Sequence, residues 1–326
     1  MRTRWLILFL VFGGAALLSA TWGAPVPLSD LWSPDAAKQE VAQRIFLEIR
    51  PVRLLAALFV GAGLAVSGTT LQSVFRNPLA EPYLLGISAG GALGATLSKA
   101  FLYQSNFDAT ALLAFAGALA ASFSIYALGH GNNGSGLDRA RLLLTGVAMS
   151  SFLAALMALV VALSARADLA RQITFWLLGG LSEVRPAQNA VMAICLFIGL
   201  ILLLASARDI NALRSGDDDA LTLGVDVKKL HTRLLLSSAL ISAAAVSCAG
   251  LIGFVGLLGP HIVRLFLGSD ARTLIPASAL GGAALLVFCD AIARGIAPPI
   301  ELPVGIVTAL LGVPLFIFLA QKKTWH

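Results

Sequence analysis

An all-α, polytopic membrane protein with about ten transmembrane helices follows from three features of the chain. Hydrophobic residues make up 58% of its 326 residues and charged residues only 12%, where soluble domains run about 45–50% and about 25%. The mean hydropathy is +0.87 over the whole length, so the apolar excess is distributed rather than gathered into one anchor. The apolar residues fall into ten runs, most of them near the roughly 20 residues that cross about 30 Å of hydrocarbon. This composition excludes a soluble enzyme, a nucleic-acid-binding domain, a disordered chain and a secreted disulfide scaffold. It also disfavours an outer-membrane barrel, whose strands alternate and whose lumen is polar.

The first run, Trp5 to about Ala20, follows Arg2 and Arg4. It shares a basic start and a Ser19-Ala20-Thr21 stretch with signal peptides. Membrane-embedded sequence continues downstream, so the run reads as an uncleaved first helix. The polar stretch 23–52, with Pro25, Pro27 and Pro34, reads as an external loop with room for a short helix. Further runs cover about 54–74, 83–101, 108–129, 141–163, 188–206, 233–251, 253–268, 274–294 and 303–320. The run at 253–268 is short and contains Pro260, His261 and Arg264. A broken segment at membrane depth survives only where protein or water satisfies its backbone. Two readings stay open: a tenth crossing that leaves both termini on one side, or a re-entrant segment and nine crossings.

Charge sets the orientation. With ten spans and the N-terminus inside, 14 of the 23 Lys and Arg residues fall on the inner side and 9 on the outer. That bias has the positive-inside sign, and the scattered basic residues need no nucleic acid to explain the net charge of +6. Cys195, Cys248 and Cys289 lie in apolar runs without CxxC spacing and read as small buried hydrophobes. Neither a metal site nor a disulfide framework is expected.

The longest inner connection, about 207–232, reads as a helical knob outside the bilayer. Ser215 is the expected cap, Asp217 to Asp219 sit on the positive first turn, and Gly224 is the expected C′ glycine. Its apolar Ala220, Leu221, Leu223 and Val225 suggest a partner surface. Ser88-Ala89-Gly90-Gly91-Ala92-Leu93 is echoed by Ser278-Ala279-Leu280-Gly281-Gly282-Ala283-Ala284-Leu285. The echoes lie in spans three and nine, which face the same way. An inverted internal repeat, the usual transporter device, is expected and calls for an offset of five.

No GxxxxGK[ST] is present, so the chain holds no P-loop of its own. Gly61-Ala62-Gly63, Gly90-Gly91 and Gly94 read as sites of close helix approach. The centres of nearly all spans lack Asp, Glu, Lys and Arg. Asp290, Arg294 and Glu301 gather at the outer end of the last two spans, and Glu81 sits between Pro78 and Pro82. An ion-driven carrier needs a titratable group at mid-depth; with no clear candidate, energy is expected from elsewhere. His130 sits in a Gly-rich turn, His326 ends the chain and His231 starts a span. His261 is expected to make a structural hydrogen bond rather than bind metal or haem.

Several motifs then converge. Ile49-Arg50-Pro51-Val52-Arg53, Gly61 to Gly68, Gln72 and Arg76-Asn77-Pro78-Leu79-Ala80-Glu81-Pro82 resemble the permease subunits of ABC importers for iron chelates and vitamin B12. So do Gly250 to Leu257, Pro260-His261-Ile262-Val263-Arg264 and Glu301-Leu302-Pro303-Val304-Gly305-Ile306. The resemblance runs from about residue 45 to 320. It implies one transmembrane domain over 1–326 with the type II importer permease fold. It further implies a homodimer, a path along its twofold axis, two cytosolic ATPase subunits that hold the ATP and Mg, and an extracytoplasmic binding protein. The implied setting is a bacterial cytoplasmic membrane with both termini cytoplasmic. The implied cargo is a ferric siderophore or haem, with cobalamin as the alternative and an ion-coupled carrier as a remote one. The chain itself is then no enzyme and holds no cofactor.

The same resemblance implies roles for residues. Asn211, Leu213, Gly216, Ala220, Leu221, Leu223 and Gly224 match coupling helices that press into the ATPase. Arg50 and Arg294 match outer arginines that pair with acidic residues of the binding protein. Asn77, Pro78 and Leu79 match an inner gate. The second gate departs from the family's small polar pattern, with Asp138, Arg139 and Ala140 in its place. Trp176, Gly179 and Gly180 match the outer-gate region.

Overall fold

The computed structural model describes residues 2–22, 26–102, 109–129, 138–297 and 300–321. His130, His326, Lys322 and Lys323 lie outside the described residues. Fourteen α-helices occur among those described. They are α1 (Arg2–Thr21), α2 (Ala36–Gln43), α3 (Arg50–Phe75), α4 (Ile87–Phe101), α5 (Thr110–Gly129), α6 (Arg139–Leu163) and α7 (Leu169–Leu177). There follow α8 (Pro186–Ala205), α9 (Ala207–Ser215), α10 (Asp217–Thr222), α11 (Val227–Ala249), α12 (Val255–Leu267), α13 (Ala271–Gly295) and α14 (Val304–Gln321). Each of the ten apolar runs forms a helix: α1, α3 to α6, α8 and α11 to α14. A π-helical stretch at Arg44–Ile49 joins α2 to α3, so part of the expected external loop is a continuation of the second span.

α3 is the axle of the bundle, packed against α13, α11, α12 and α8. No hydrophobic drive separates helix from lipid inside a bilayer, so close packing depends on small residues. At Gly68 a Cβ would collide with the Gly256 carbonyl of α12, and at Gly61 with the Gly282 carbonyl of α13. The expected close approach at Gly61 and Gly90 is found, with Gly90 set against Gly117 of α5. Ser67 of α3 adds interhelical hydrogen bonds to Ser238 and, at 2.6 Å, to Ser242 of α11.

The segment 253–268 has a definite form. α12 is 13 residues long, roughly 20 Å at about 1.5 Å per residue, against about 30 Å of hydrocarbon. α4, at 15 residues, is also short. The irregular segments that precede both helices satisfy one another. Tyr83 Oη donates to the Ile252 carbonyl at 2.6 Å and accepts from the Ile252 N–H at 2.8 Å. Glu81 Oε1 accepts from the Phe254 N–H at 3.0 Å, holding Phe254 at a left-handed φ of 68° at the entry to α12. From this junction α4 runs to Lys99, which lines a cavity with Arg53 and Glu301, and α12 runs to Arg264, which lines another with Arg214 of α9. Short, broken helices thus stand in spans three and eight, an offset of five, whereas the sequence echo had pointed to spans three and nine.

The knob also differs in detail. Ser215 is the last residue of α9 rather than a cap, because Gly216 at φ 153° breaks the chain and α10 starts at Asp217. The C-terminal signal is where the sequence put it. Gly224 takes φ 81°, its N–H bonds the Leu221 carbonyl, and the Val225 N–H bonds that of Ala220, a Schellman closure.

Candidate functional site

Four clusters gather the residues singled out above. At the knob end, Asp217 opens α10 and meets two arginines from elsewhere. Its Oδ1 accepts from Arg76 at 2.6 Å and from Arg139 at 2.7 Å. Arg139 also donates from Nε to the Val74 carbonyl at 2.7 Å. Arg76 sits at φ 48° at the end of α3 and leads straight into the Asn77-Pro78-Leu79 turn, where Asn77 Oδ1 accepts from the Leu79 N–H. The knob, the Asn77-Pro78-Leu79 turn and the start of α6 are therefore joined at one carboxylate. Partial burial alone would raise the Asp217 pKa. The hydrogen bond from Arg139 and the charges of Arg139, His231 and Arg76 outweigh it and hold the carboxyl below the usual carboxylate range. Arg139, expected to stand in the gate, is committed to this clamp, while Ala140 and Leu79 are exposed.

The coupling residues divide in two. Leu213 and Ala220 are fully buried, whereas Leu221 and Leu223 are 56% and 70% exposed. Asn211 faces the bundle: its amide donates to Asp270 and its carbonyl oxygen accepts from the Ala271 N–H, both at 2.8 Å, fastening α9 to the start of α13. Gly216 and Gly224 serve the backbone turns at either end of α10. The outward surface of the knob is thus carried by Leu221 and Leu223.

At the far end lies a buried ion cluster. Asp290, 1% exposed, accepts from Arg53 Nε at 2.9 Å and from Arg294 Nε at 3.0 Å. Arg53 also reaches Glu301 at 2.5 Å. Arg294 is only 6% exposed, and its remaining donors go to the Ser19 carbonyl and hydroxyl and the Trp22 carbonyl. It therefore ties α1 to α13 rather than standing free on a rim. Arg50 bonds the same Trp22 carbonyl at 3.4 Å, and its guanidinium lies 4.3 Å from the centre of the Phe46 ring. The structure brings Arg50 and Arg294 together at Trp22 but leaves only Arg50 partly open to solvent. Arg53 is the member that the sequence reading quoted without a role; its position three residues past Arg50, one turn along α3, was the available signal.

The fourth cluster holds Trp176, Gly179 and Gly180, the residues expected at an outer gate. α7 ends in a turn at Gly179, φ 69°. The Gly180 N–H bonds the Ala249 carbonyl at 2.9 Å, and the Gly305 N–H bonds the Gly179 carbonyl at 3.3 Å. Trp176 packs on the main core. The turn thus links the ends of α7 and α11 to the start of α14. A cavity of about 590 Å³ beside it is lined by Arg53, Lys99, Asp168, Arg171, Trp176 and Glu301, among others. No group of three or more His, Cys, Asp or Glu side chains suited to a metal occurs among the described residues.

Comparison with known proteins adds an independent line. Residues 6–322 match the FecCD transport family. The hemin transport system permease HmuU of Yersinia pestis is 41% identical over 320 residues, covering 94% of this chain and 92% of that protein. The cobalamin import system permease BtuC of Halobacterium salinarum is 43% identical over 284 residues, covering 87% and 75%. The iron(3+)-hydroxamate import permease FhuB of Bacillus subtilis is 36% identical over 330 residues, covering 99% and 85%. A solved structure described as an inward-facing conformation of a metal-chelate type ABC transporter superposes with a TM-score of 0.84 at 29% identity, over 99% of this chain and all of that one.

Proposed function

From the premise that the chain belongs to the FecCD transport family, and is a multi-pass permease subunit of an ABC importer rather than an enzyme, we propose that it moves an iron chelate, a ferric siderophore or haem, across a bacterial cytoplasmic membrane. Two copies form the path between them, and two separate ATPase subunits supply the energy. The observation that carries this reading is the Asp217 clamp. It joins the knob to the Asn77-Pro78-Leu79 turn and to α6 through two charge-assisted contacts of 2.6 and 2.7 Å. A push on the exposed Leu221 and Leu223 reaches both segments without passing through a flexible linker. The knob and both termini then face the cytoplasm.

The dimer reading rests on α6. Of its 25 residues only Leu142 and Gly146 are buried in one chain, so a second copy has a whole helix face to cover. At the outer end Arg50 offers a guanidinium to acidic residues of a binding protein, where complementary charge sets register and on-rate. Arg294 contributes by fixing the α1 end beside it. Trp176, Gly179 and Gly180 form the outer gate, and Asn77, Pro78 and Leu79 the inner one, with Ala140 at its edge. Cobalamin is the second reading, favoured by the 43% identity to the Halobacterium salinarum permease.

The test is uptake into proteoliposomes by the complex purified with its native ATPase and binding protein. Haem, a ferric hydroxamate and cobalamin are each supplied with and without internal ATP. ATP-dependent accumulation of an iron chelate is expected. Accumulation of cobalamin alone selects the second reading. Accumulation driven by an ion gradient without the ATPase overturns both.

A further inference from the structure

At the knob end, bordering the Asp217 clamp through Arg76, α3, α9, α12 and α13 partly enclose a cavity of about 590 Å³. Its polar lining includes Gln72, Arg76, Arg214, His261, Arg264 and Ser269, and no carboxylate lines it among the described residues. Arg264 donates to the Gln72 amide oxygen at 2.8 Å, and Arg214 to the Ser269 carbonyl at 2.6 Å. Both acceptors are neutral. They orient the two guanidiniums without forming an ion pair, although the Asp270 carboxylate is near enough to feel the charge of Arg214. Asp270, next in the chain to Ser269, is turned to Asn211 and to the Arg272 N–H. The charge of Arg76 is already answered by Asp217. Two forked cations therefore share one partly enclosed, acid-free space, an arrangement that matches the oxygens of a phosphate group.

We propose that this cavity is a phosphate-binding site whose ligand is the headgroup of an anionic phospholipid, held between α3, α9, α12 and α13. The surroundings favour a lipid over a free anion. Leu265 and Phe266, the residues after Arg264 on α12, are 61% and 57% exposed. They offer an apolar surface for acyl chains beside the cationic space. Arg4 of α1 donates to the Phe266 carbonyl at 2.7 Å, adding a further positive charge on that side. Basic pockets between membrane helices near the bilayer surface take anionic headgroups on the same principle. The site lies against α9, so an occupied pocket braces the root of the knob. This inference does not depend on which chelate is carried.

The experiment is native mass spectrometry of the whole complex after extensive delipidation and re-addition of phosphatidylglycerol, cardiolipin or phosphatidylcholine. One anionic lipid per permease chain is expected to survive in the native protein. Arg214→Gln with Arg264→Gln should lower that occupancy at least tenfold, whereas Arg214→Lys with Arg264→Lys should retain most of it, which separates lost charge from lost folding. A parallel melting series compares inorganic phosphate with chloride at equal ionic strength. A phosphate-specific rise in Tm in the native complex, absent in the Gln pair and without a retained lipid, assigns the site to a free anion. Equal lipid retention by native and Gln forms together with no phosphate-specific shift overturns the site.

Discussion

α3 and α6 are nearly the same length, 26 and 25 residues, and both are apolar enough to cross a membrane. Within their most apolar stretches α3 is 78% buried and α6 only 6%. Hydropathy does not separate them; side-chain size does. α3 presents Gly61 and Gly68 to the backbones of its neighbours and Gly63 to the Met192 and Ile241 side chains, all at contact distance. α6 carries Leu144, Val147, Phe152, Leu159 and Leu163, all exposed. In lipid a bulky apolar face costs nothing to expose, so burial is earned by small residues and interhelical polar bonds. One helix is the axle of its own chain, and the other leaves its bulky face to lipid or to a second copy.

The sharpest break of that contrast is Gly68→Val on α3. A Cβ there meets the Gly256 backbone, which cannot move aside as a flexible side chain would. Complete loss of folded permease is expected, read as the absence of a monodisperse peak after extraction. A folded Gly68→Val protein would mean that α12 does not pack as described. Next in size is Asp290→Ala. It strands the buried Arg294 without an anion and leaves the buried Arg53 with Glu301 alone. Removing one partner of a buried pair costs about 3–5 kcal/mol. A large fall in Tm is expected, with Asp290→Asn milder because it keeps an acceptor for one arginine. Equal Tm for Asp290→Ala and the native protein would show the cluster to be idle.

Asp217 gives a smaller effect on stability and a larger one on coupling. Asp217→Asn should leave the chain folded and joined to its ATPase, yet lower transport per ATP hydrolysed at least tenfold. The sign of its pH dependence follows from its depressed pKa. The clamp is at full strength above the ordinary carboxylate value of about 4 and is lost as pH falls through the lower, folded-state value. Amide exchange in residues 207–226 should therefore stay protected down to about pH 4 and loosen only below it, after correction for intrinsic rates. Loosening between pH 5 and 7 would place the clamp elsewhere.

These effects also mark what a single sequence can disclose. The ten helical runs, six of them long and apolar enough to cross a membrane, the knob and the Gly224 turn were legible because each rests on local composition or on one residue's backbone freedom. The partners of Asp217 were not, since Arg76 stands 141 residues away from it and pattern along the chain carries no distance information. The resemblance matches Arg294 to an outer docking arginine, and a motif match carries no burial information; only the fold shows Ser19 and Trp22 closing over it. The resemblance likewise matches Asn211 to a coupling helix and puts Arg139 at an inner gate, and both turn inward to satisfy a helix start and a carboxylate. The pairing of the two broken spans was hidden because Tyr83 and Ile252 have nothing in common until they meet.

The smallest expected effect on the chain itself tests the other half of the comparison. Phe152 on α6 is 59% exposed, and its truncation to Ala removes little packing within one copy. Surface changes of this kind fall within about 0.5 kcal/mol, so the monomer's Tm in detergent should hardly move. If α6 is covered by a second copy, as proposed, the same change removes an aromatic side chain from that interface, where such residues dominate the energy of association. The dimer should then dissociate at lower detergent dilution, measured by single-molecule photobleaching, while the monomer melts as before. A fall in monomer Tm would mean that α6 is packed within its own chain. An unchanged dimer would move the interface to another face, and would leave the exposed apolar side chains of α6 to lipid.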